Sequence, residues 1–503
     1  MLINTSTPSK QLSPTITYRK ALSNLIKEAW PFLATRAVEL LTDYLSVILL
    51  DTNEDILAAI SLITSMQVIL RSVNVTFLFD TSFQAREAKK SNNPQRLSDV
   101  LQASYLFAIA LSVLSIPVAV YSASIFELIG ESSGPSRIAQ DYLRAYAVGI
   151  PLMLMSISDQ QMFLGLGKPL HVLLVTALAR PLTLVFGYCL MHGKYGFPKL
   201  GVAGMGYGNA ISYAFAFAAS TGLLFALKEY RQYDMWKISR KETYQMLKTL
   251  MRNGLSIGIY AALELGIISA STMLLGRLRS SYLAAAQPAL QYSSILANMT
   301  YAFASIVGMV IKGSLAEKYF ADAKIYGIAG TAVCSIVPTV VTLVFLVTDH
   351  LFLKPFSDTT SIAHTLLLIA LLGQIADGLR NACGGVLRGY GDPKSAMQAN
   401  LLSTLLINLP LAFMFAFVFE SPAGILGARS IAITVSTLLL LAKCIKTVLS
   451  QEPTNEKVAG IKYNYPRFFA QNPFKKCWHS VFAKKPEVKP LLNTSQEYKQ
   501  YTL

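Results

Sequence analysis

Long apolar runs separated by short polar stretches organise this chain. Twelve segments stand out, at roughly 30–50, 56–79, 99–121, 140–163, 170–191, 204–227, 255–276, 283–311, 325–347, 362–386, 396–419 and 426–449. Each is close to the ~20 residues that an α-helix needs to cross a bilayer, or longer. None alternates apolar and polar positions as a strand would, and backbone groups in lipid must be bonded within their own segment. The pattern predicts an all-α polytopic membrane protein with twelve transmembrane helices.

Composition narrows the picture further. Of 503 residues, 53% are hydrophobic and only 14% are charged, where soluble domains carry roughly a quarter, and the mean hydropathy is +0.44. A multidomain soluble enzyme lacks the polar surface it would need, and disordered or coiled-coil chains are excluded on the same ground. The charge balance, 44 basic minus 28 acidic or +16, would suggest nucleic acid in a soluble protein. In a membrane protein it reflects basic cytoplasmic loops, so the expected partner is the lipid bilayer, with no nucleic acid.

The loops after even-numbered segments hold seventeen Lys and Arg, against seven in the odd-numbered loops, and Lys10, Arg19, Lys20 and Lys27 add to the even side. Both termini are therefore expected in the cytoplasm, and the chain is expected in a plasma membrane, the bacterial inner membrane fitting its compact size. The first 28 residues show no apolar core with a cleavage site, so the first segment is expected to serve as the insertion signal. The five cysteines and five histidines form no ligand spacing, and no phosphate-binding loop is present. Neither an enzyme nor a cofactor is expected.

The chain divides into a cytoplasmic segment 1–28, six spans over 29–227, a charged cytoplasmic linker 228–253, six spans over 254–449 and a basic cytoplasmic tail 450–503. Within the tail, the Lys- and aromatic-rich stretch 474–485 is an alternative lipid-surface anchor. The two six-span units repeat. Residues 163–169, FLGLGKP, match 387–393, LRGYGDP; 200–204, LGVAG, match 423–427, AGILG; and 37–40, AVEL, match 262–265, ALEL. The offsets of 224, 223 and 225 residues, in one order, indicate a duplicated unit. Parallel halves of this kind, two pseudo-symmetric lobes around a central cavity, are a transporter architecture in which the lobes rock about a site near the midplane; a duplicated channel is the alternative.

Ionisable residues inside spans are functional candidates, because burying them costs at least a few kcal/mol. Segment 1 carries Arg36, Glu39 and Asp43 on one helical stripe, and Arg36 has the spacing to pair with Glu39 either structurally or as part of a site. Arg71 in segment 2 reads as a structural partner or a snorkelling residue. Segment 7 carries Glu264 with no basic residue within a turn. Segment 10 carries Asp377 and Arg380 at i, i+3, a second ion-pair candidate. Asp159, towards the end of segment 4, reads as solvated near an interface. A carboxylate in a dry cavity can hold a proton, hold Na⁺ or attract an organic cation, and competition among the three is sufficient for antiport.

These motifs resemble the multidrug and toxic compound extrusion (MATE) transporters over roughly residues 24–449. Residues 253–264, NGLSIGIYAALE, look like the family's seventh helix with its glutamate. Asp377 followed by LRGYGD at 387–392 looks like the tenth helix and its turn. Residues 142–151 and 197–204 look like the fourth helix and the approach to the sixth. The resemblance implies a V-shaped pair of lobes and export of amphipathic, often cationic, compounds against H⁺ or Na⁺ entry. It places Glu264 and Asp377 as the C-lobe cation-coupling carboxylates and the only expected Na⁺ ligands. The family's first-helix aspartate falls at Ser46, leaving Glu39 and Asp43 as the N-lobe candidates. Tyr260, Tyr292 and Tyr301 are candidate cavity aromatics. The expectation is a cation-coupled antiporter working as a monomer; the alternatives are a flippase for a lipid-linked saccharide, to which Arg36, Arg71 and Arg380 would suit a pyrophosphate, and a channel or passive membrane protein.

Overall fold

The computed structural model describes residues 16–48, 54–129, 133–226, 240–278, 280–352 and 360–450. The tail 450–503 with its stretch 474–485, the linker residues 228–239 and the chain before residue 16 lie outside the described residues, apart from Ser450 at the end of the last helix. No strand occurs among the described residues; besides a short helix at Ser122–Ile129, twelve helical units joined by short turns fall at the predicted segments. They are α1 (Tyr18–Ile48), α2 (Glu54–Val68, Ile69–Val73, Asn74–Phe77 and Asp80–Lys90), α3 (Pro94–Val120), α4 (Ser133–Gly165), α5 (Pro169–His192) and α6 (Val202–Ala226). The second set is α7 (Arg240–Leu278), α8 (Ser280–Ala316), α9 (Phe320–Phe352), α10 (Thr360–Gly389), α11 (Pro393–Ser403, Thr404–Asn408 and Leu409–Phe417) and α12 (Pro422–Ser450). Among the described residues, nine stretches are long and apolar enough to cross a membrane.

Two helices run past their apolar segments. α1 begins at Tyr18 because Ala21, Leu25 and Ala29 form a stripe at i, i+4, i+8 that is wholly buried inside a polar-looking sequence. α7 begins at Arg240, inside the expected linker. Its 39 residues span about 58 Å at 1.5 Å per residue, more than the ~45 Å of a bilayer with its headgroups. The extension is amphipathic: Leu250 is buried, and Thr243 donates a 3.0 Å hydrogen bond to Asp99 of α3.

The duplication is visible in the backbone. The turn from α4 to α5 closes with Gly167 N–H on the Leu164 carbonyl (3.0 Å) and Lys168 N–H on the Phe163 carbonyl (2.8 Å). The turn from α10 to α11 repeats it, Gly391 on Arg388 (3.0 Å) and Asp392 on Leu387 (2.8 Å). Gly167 and Gly391 both take left-handed φ, +69° and +84°, as a helix-ending residue must, and a proline then opens the next helix in each case.

Large apolar side chains such as Leu114, Leu178 and Leu406 point outward, towards the lipid, so polar groups can collect inside. α2 and α11 are both interrupted by π-helical turns, at Ile69–Val73 and Thr404–Asn408; such turns often mark functional positions, and the first contains Arg71.

The lobes are tied by polar contacts at one end of the bundle. Asn253 donates to Asp80 (3.0 Å) and Asn24 to Tyr326 (3.1 Å), while Lys312 pairs with Glu87 (3.0 Å) and Lys90 with Glu317 (2.9 Å). With the Thr243–Asp99 bond, all lie at the end bearing the even-numbered loops. Gly254 permits this approach, since a Cβ there would stand 2.2 Å from the Phe77 carbonyl oxygen. Gly254→Ala is therefore expected to push the lobes apart at this end. Crosslinking between Lys90→Cys and Glu317→Cys should fall several-fold in the Gly254→Ala background; undiminished crosslinking would contradict this packing.

Candidate functional site

Each lobe gathers charge inside. In the C-lobe, α10 presents Asp377 and Arg380 one turn apart, both side chains 1% exposed. The Arg380 guanidinium lies 2.5 Å from Asp377 Oδ1 and donates to both Glu264 oxygens on α7, at 2.6 and 2.7 Å. It also donates to Asn400 Oδ1 of α11 (3.1 Å), and its face covers the Tyr260 ring at 5.4 Å. Asn381 donates to Asp377 Oδ2 (3.1 Å) and accepts from the Tyr260 hydroxyl (3.2 Å). Arg429 of α12 is buried within electrostatic reach of both acids. Glu264 has no partner on its own helix, but Arg380 reaches it from another. Its side chain is 20% exposed, so one acid of the triad is accessible while the other is sealed.

Tyr260 and Tyr301 stack at 6.5 Å, and Arg388 donates to the Tyr301 hydroxyl (3.0 Å). Tyr292 is placed differently, packed with a separate apolar cluster that includes Leu274 and Leu275. Of the three candidate aromatics, two therefore adjoin the acidic triad.

The N-lobe cluster is built on α1, α2 and α5. Glu39 accepts from Arg36 (2.8 Å) and pairs with Arg71 (2.6 Å). Asp43, about half exposed, accepts from Arg71 at 3.2 Å. Arg180 of α5 completes the cluster, 3.7 Å from Glu39 and 3.9 Å from Asp43, over the Tyr213 ring at 5.5 Å. Ser46 bonds back to the Thr42 carbonyl of its own helix (2.8 Å) and lies outside these pairs. A small open cavity adjoins the cluster, its wall including Phe32, Arg36, Glu39, Arg71, Arg180 and Tyr213.

Sequence reasoning had no site role for Arg180 and Arg429. Arg180 is a lone cation in the middle of an apolar segment, the signal that singled out Glu264. Arg429 lies three residues inside the twelfth apolar segment, 426–449, and the structure buries it in α12. Asp159 is also placed differently from expectation: it is wholly buried rather than solvated. It accepts hydrogen bonds from Tyr105 (2.5 Å), Ser220 (2.6 Å) and Thr221 (2.9 Å), and among the described residues it pairs with no cation.

Known proteins share this frame. The family model MatE matches residues 37–189 and 257–414, once in each lobe. A probable multidrug resistance protein NorM of Halalkalibacterium halodurans is 27% identical over 346 residues, covering 67% of this chain and 75% of that one. The crystal structure of the eukaryotic MATE transporter AtDTX14 superposes with a TM-score of 0.76 at 17% identity, over 86% of this chain and 98% of that one. A MOP-superfamily transporter of Pyrococcus furiosus, described as having a binding pocket of reverse polarity, superposes at 0.71 with 14% identity, over 86% and 96%. With both lobes matched in order and the twelve-helix frame in common, this chain belongs to the MatE family of membrane transporters.

Proposed function

We propose that this protein is a secondary active antiporter that exports small amphipathic organic compounds in exchange for H⁺ or Na⁺. The observation that carries the reading is the Glu264–Arg380–Asp377 triad: two acids bond one guanidinium inside the bundle, and of the two acids only Glu264 is accessible. A proton or Na⁺ on Glu264 frees part of Arg380 to turn fully to Asp377, and its departure restores the three-way pairing. That coupling links ion occupancy to the side-chain bridge between α7 and α10, the kind of differential contact that a two-state transporter requires. The name of the Halalkalibacterium relative supports drugs and toxic compounds as cargo.

The topology belongs to the same proposal. The basic even-numbered loops and both termini face the cytoplasm of a bacterial inner membrane, so the lobe contacts at Asp80, Glu87 and Glu317 close the cytoplasmic side. Cysteine at Lys241 should resist an impermeant maleimide added to intact cells, while cysteine at Tyr195 should label. The reverse pattern would invert the topology.

Counterflow in proteoliposomes tests the transport class. Vesicles loaded with unlabelled ethidium should transiently concentrate labelled ethidium from outside. A channel gives no such overshoot. Buried or partly buried arginines, among them those at 36, 71, 180, 380 and 429, favour a lipid-linked saccharide flippase as the second reading, which predicts indifference to the soluble dye.

A further inference from the structure

The N-lobe cavity has the wrong charge for a site that takes only cations. Arg36, Arg71 and Arg180 face Glu39 and Asp43, which leaves one positive charge over. Arg36 and Arg71 are each within 3.2 Å of a carboxylate, whereas Arg180 stands off by 3.7 and 3.9 Å. Its side chain is only 6% exposed. Among the described residues it makes no hydrogen bond, so a buried guanidinium with five donors has only loose ion pairs and a ring face for company.

Two further polar groups on the same wall are unsatisfied. Thr176, one turn before Arg180 on α5, is 4% exposed, and its hydroxyl has no hydrogen-bond partner. Gln161 of α4 is 3% exposed, and its side-chain oxygen has none. Both line the cavity that Arg180 lines. Buried polar groups are nearly always paired, and those that are not mark a place where something else bonds. A guanidinium, a hydroxyl and an amide that can present NH₂ by rotating its terminal torsion form a donor set suited to a carboxylate or similar monoanion. Phe32, Met153 and Ile157 give the same cavity apolar walls.

We propose that this cavity binds the anionic group of an amphiphilic substrate, held by Arg180, Thr176 and Gln161. The inference names the substrate class of the exporter reading: molecules with a carboxylate or equivalent anion beside an apolar body, zwitterions included. Glu39 and Asp43 hold Arg36 and Arg71, which leaves Arg180 for the ligand. Recognition at this site differs from attraction of a cation to Glu264.

Rhodamine B, with a free carboxylate, and its ethyl ester, with that group blocked, form a matched pair of probes. Their Kd values would be measured by fluorescence polarisation on the purified full-length protein in neutral detergent, with no ion gradient. The wild type should bind the acid about tenfold more tightly than the ester, the scale of one charge-assisted hydrogen-bonded contact. Arg180→Gln should bring the ratio close to one, and Arg180→Lys should keep part of it. If Arg180→Gln does not purify as a folded protein, Thr176→Val takes its place and should lower the ratio several-fold. Wild-type protein that binds the ester as well as the acid, or a preference that survives both Arg180→Gln and Thr176→Val, overturns the proposal. Dioctanoyl phosphatidylglycerol added to the micelles should leave the acid bound; displacement by it would assign the site to a lipid headgroup and equally overturn the proposal. Because binding is read without transport, failure here leaves the counterflow test of export intact.

Discussion

Replacing Glu264 by glutamine is expected to abolish ion-coupled efflux while leaving the protein folded and in the membrane. Glutamine keeps the size of the side chain, and its oxygen can still accept from Arg380, 2.6–2.7 Å away. Arg380 also keeps Asp377 at 2.5 Å, so no buried cation is left alone and the fold loses little. What disappears is the ability to take up and release a proton or to hold Na⁺ by charge. Gradient-driven efflux of ethidium, normalised to protein in the membrane, should fall to the level of empty vesicles. Efflux near that of the wild type with unchanged ion dependence would move coupling to the N-lobe acids Glu39 and Asp43 or to the buried Asp159.

Removing the cation instead should break the fold. Arg380→Ala takes away the guanidinium that bonds both Glu264 and Asp377 and leaves the two acids with only Arg429 within electrostatic reach, and breaking a buried pair in this way typically costs about 3–5 kcal/mol. Cation–π contact with Tyr260 and the bond to Asn400 are lost as well. Purified Arg380→Ala should melt well below the wild type, or fail to accumulate in membranes. Adding Glu264→Gln leaves Asp377 balanced by the buried Arg429 and should restore most of the melting temperature, though not the efflux. An unstable double variant would show that Arg380 acts through packing rather than charge.

The bundle was legible because its signal is long-range repetition of a simple pattern. Apolar runs gave the twelve helices, and the turns at Gly167–Pro169 and Gly391–Pro393 gave the duplication, since left-handed glycine followed by proline leaves a local trace. The helical extensions at Ala21–Ala29 and at Leu250 were less visible, because three or four apolar residues in a charged stretch do not raise its mean hydropathy. The site was legible as a set of charges and not as a set of pairs. Spacing along one helix joined Arg36 to Glu39 and Arg380 to Asp377, both of which the structure contains. It said nothing about Arg380 reaching Glu264 across 116 positions or Arg71 and Arg180 meeting Glu39. Those contacts depend on how helices are placed around one another. Asp159 looked solvated because it falls towards the end of its apolar segment; it is the hydroxyls of α3 and α6 that seal it.

Coupling is the centre of this account, and imposed gradients test it most directly. Proteoliposomes containing the wild-type protein or Glu264→Gln would be given a pH gradient and a Na⁺ gradient separately, with the membrane potential clamped, and ethidium would be followed against its own concentration gradient. The account predicts uphill movement of the dye by the wild type under one of the two gradients and none by Glu264→Gln. Dye movement that only ever runs downhill in the wild type, whichever gradient is imposed, would contradict it.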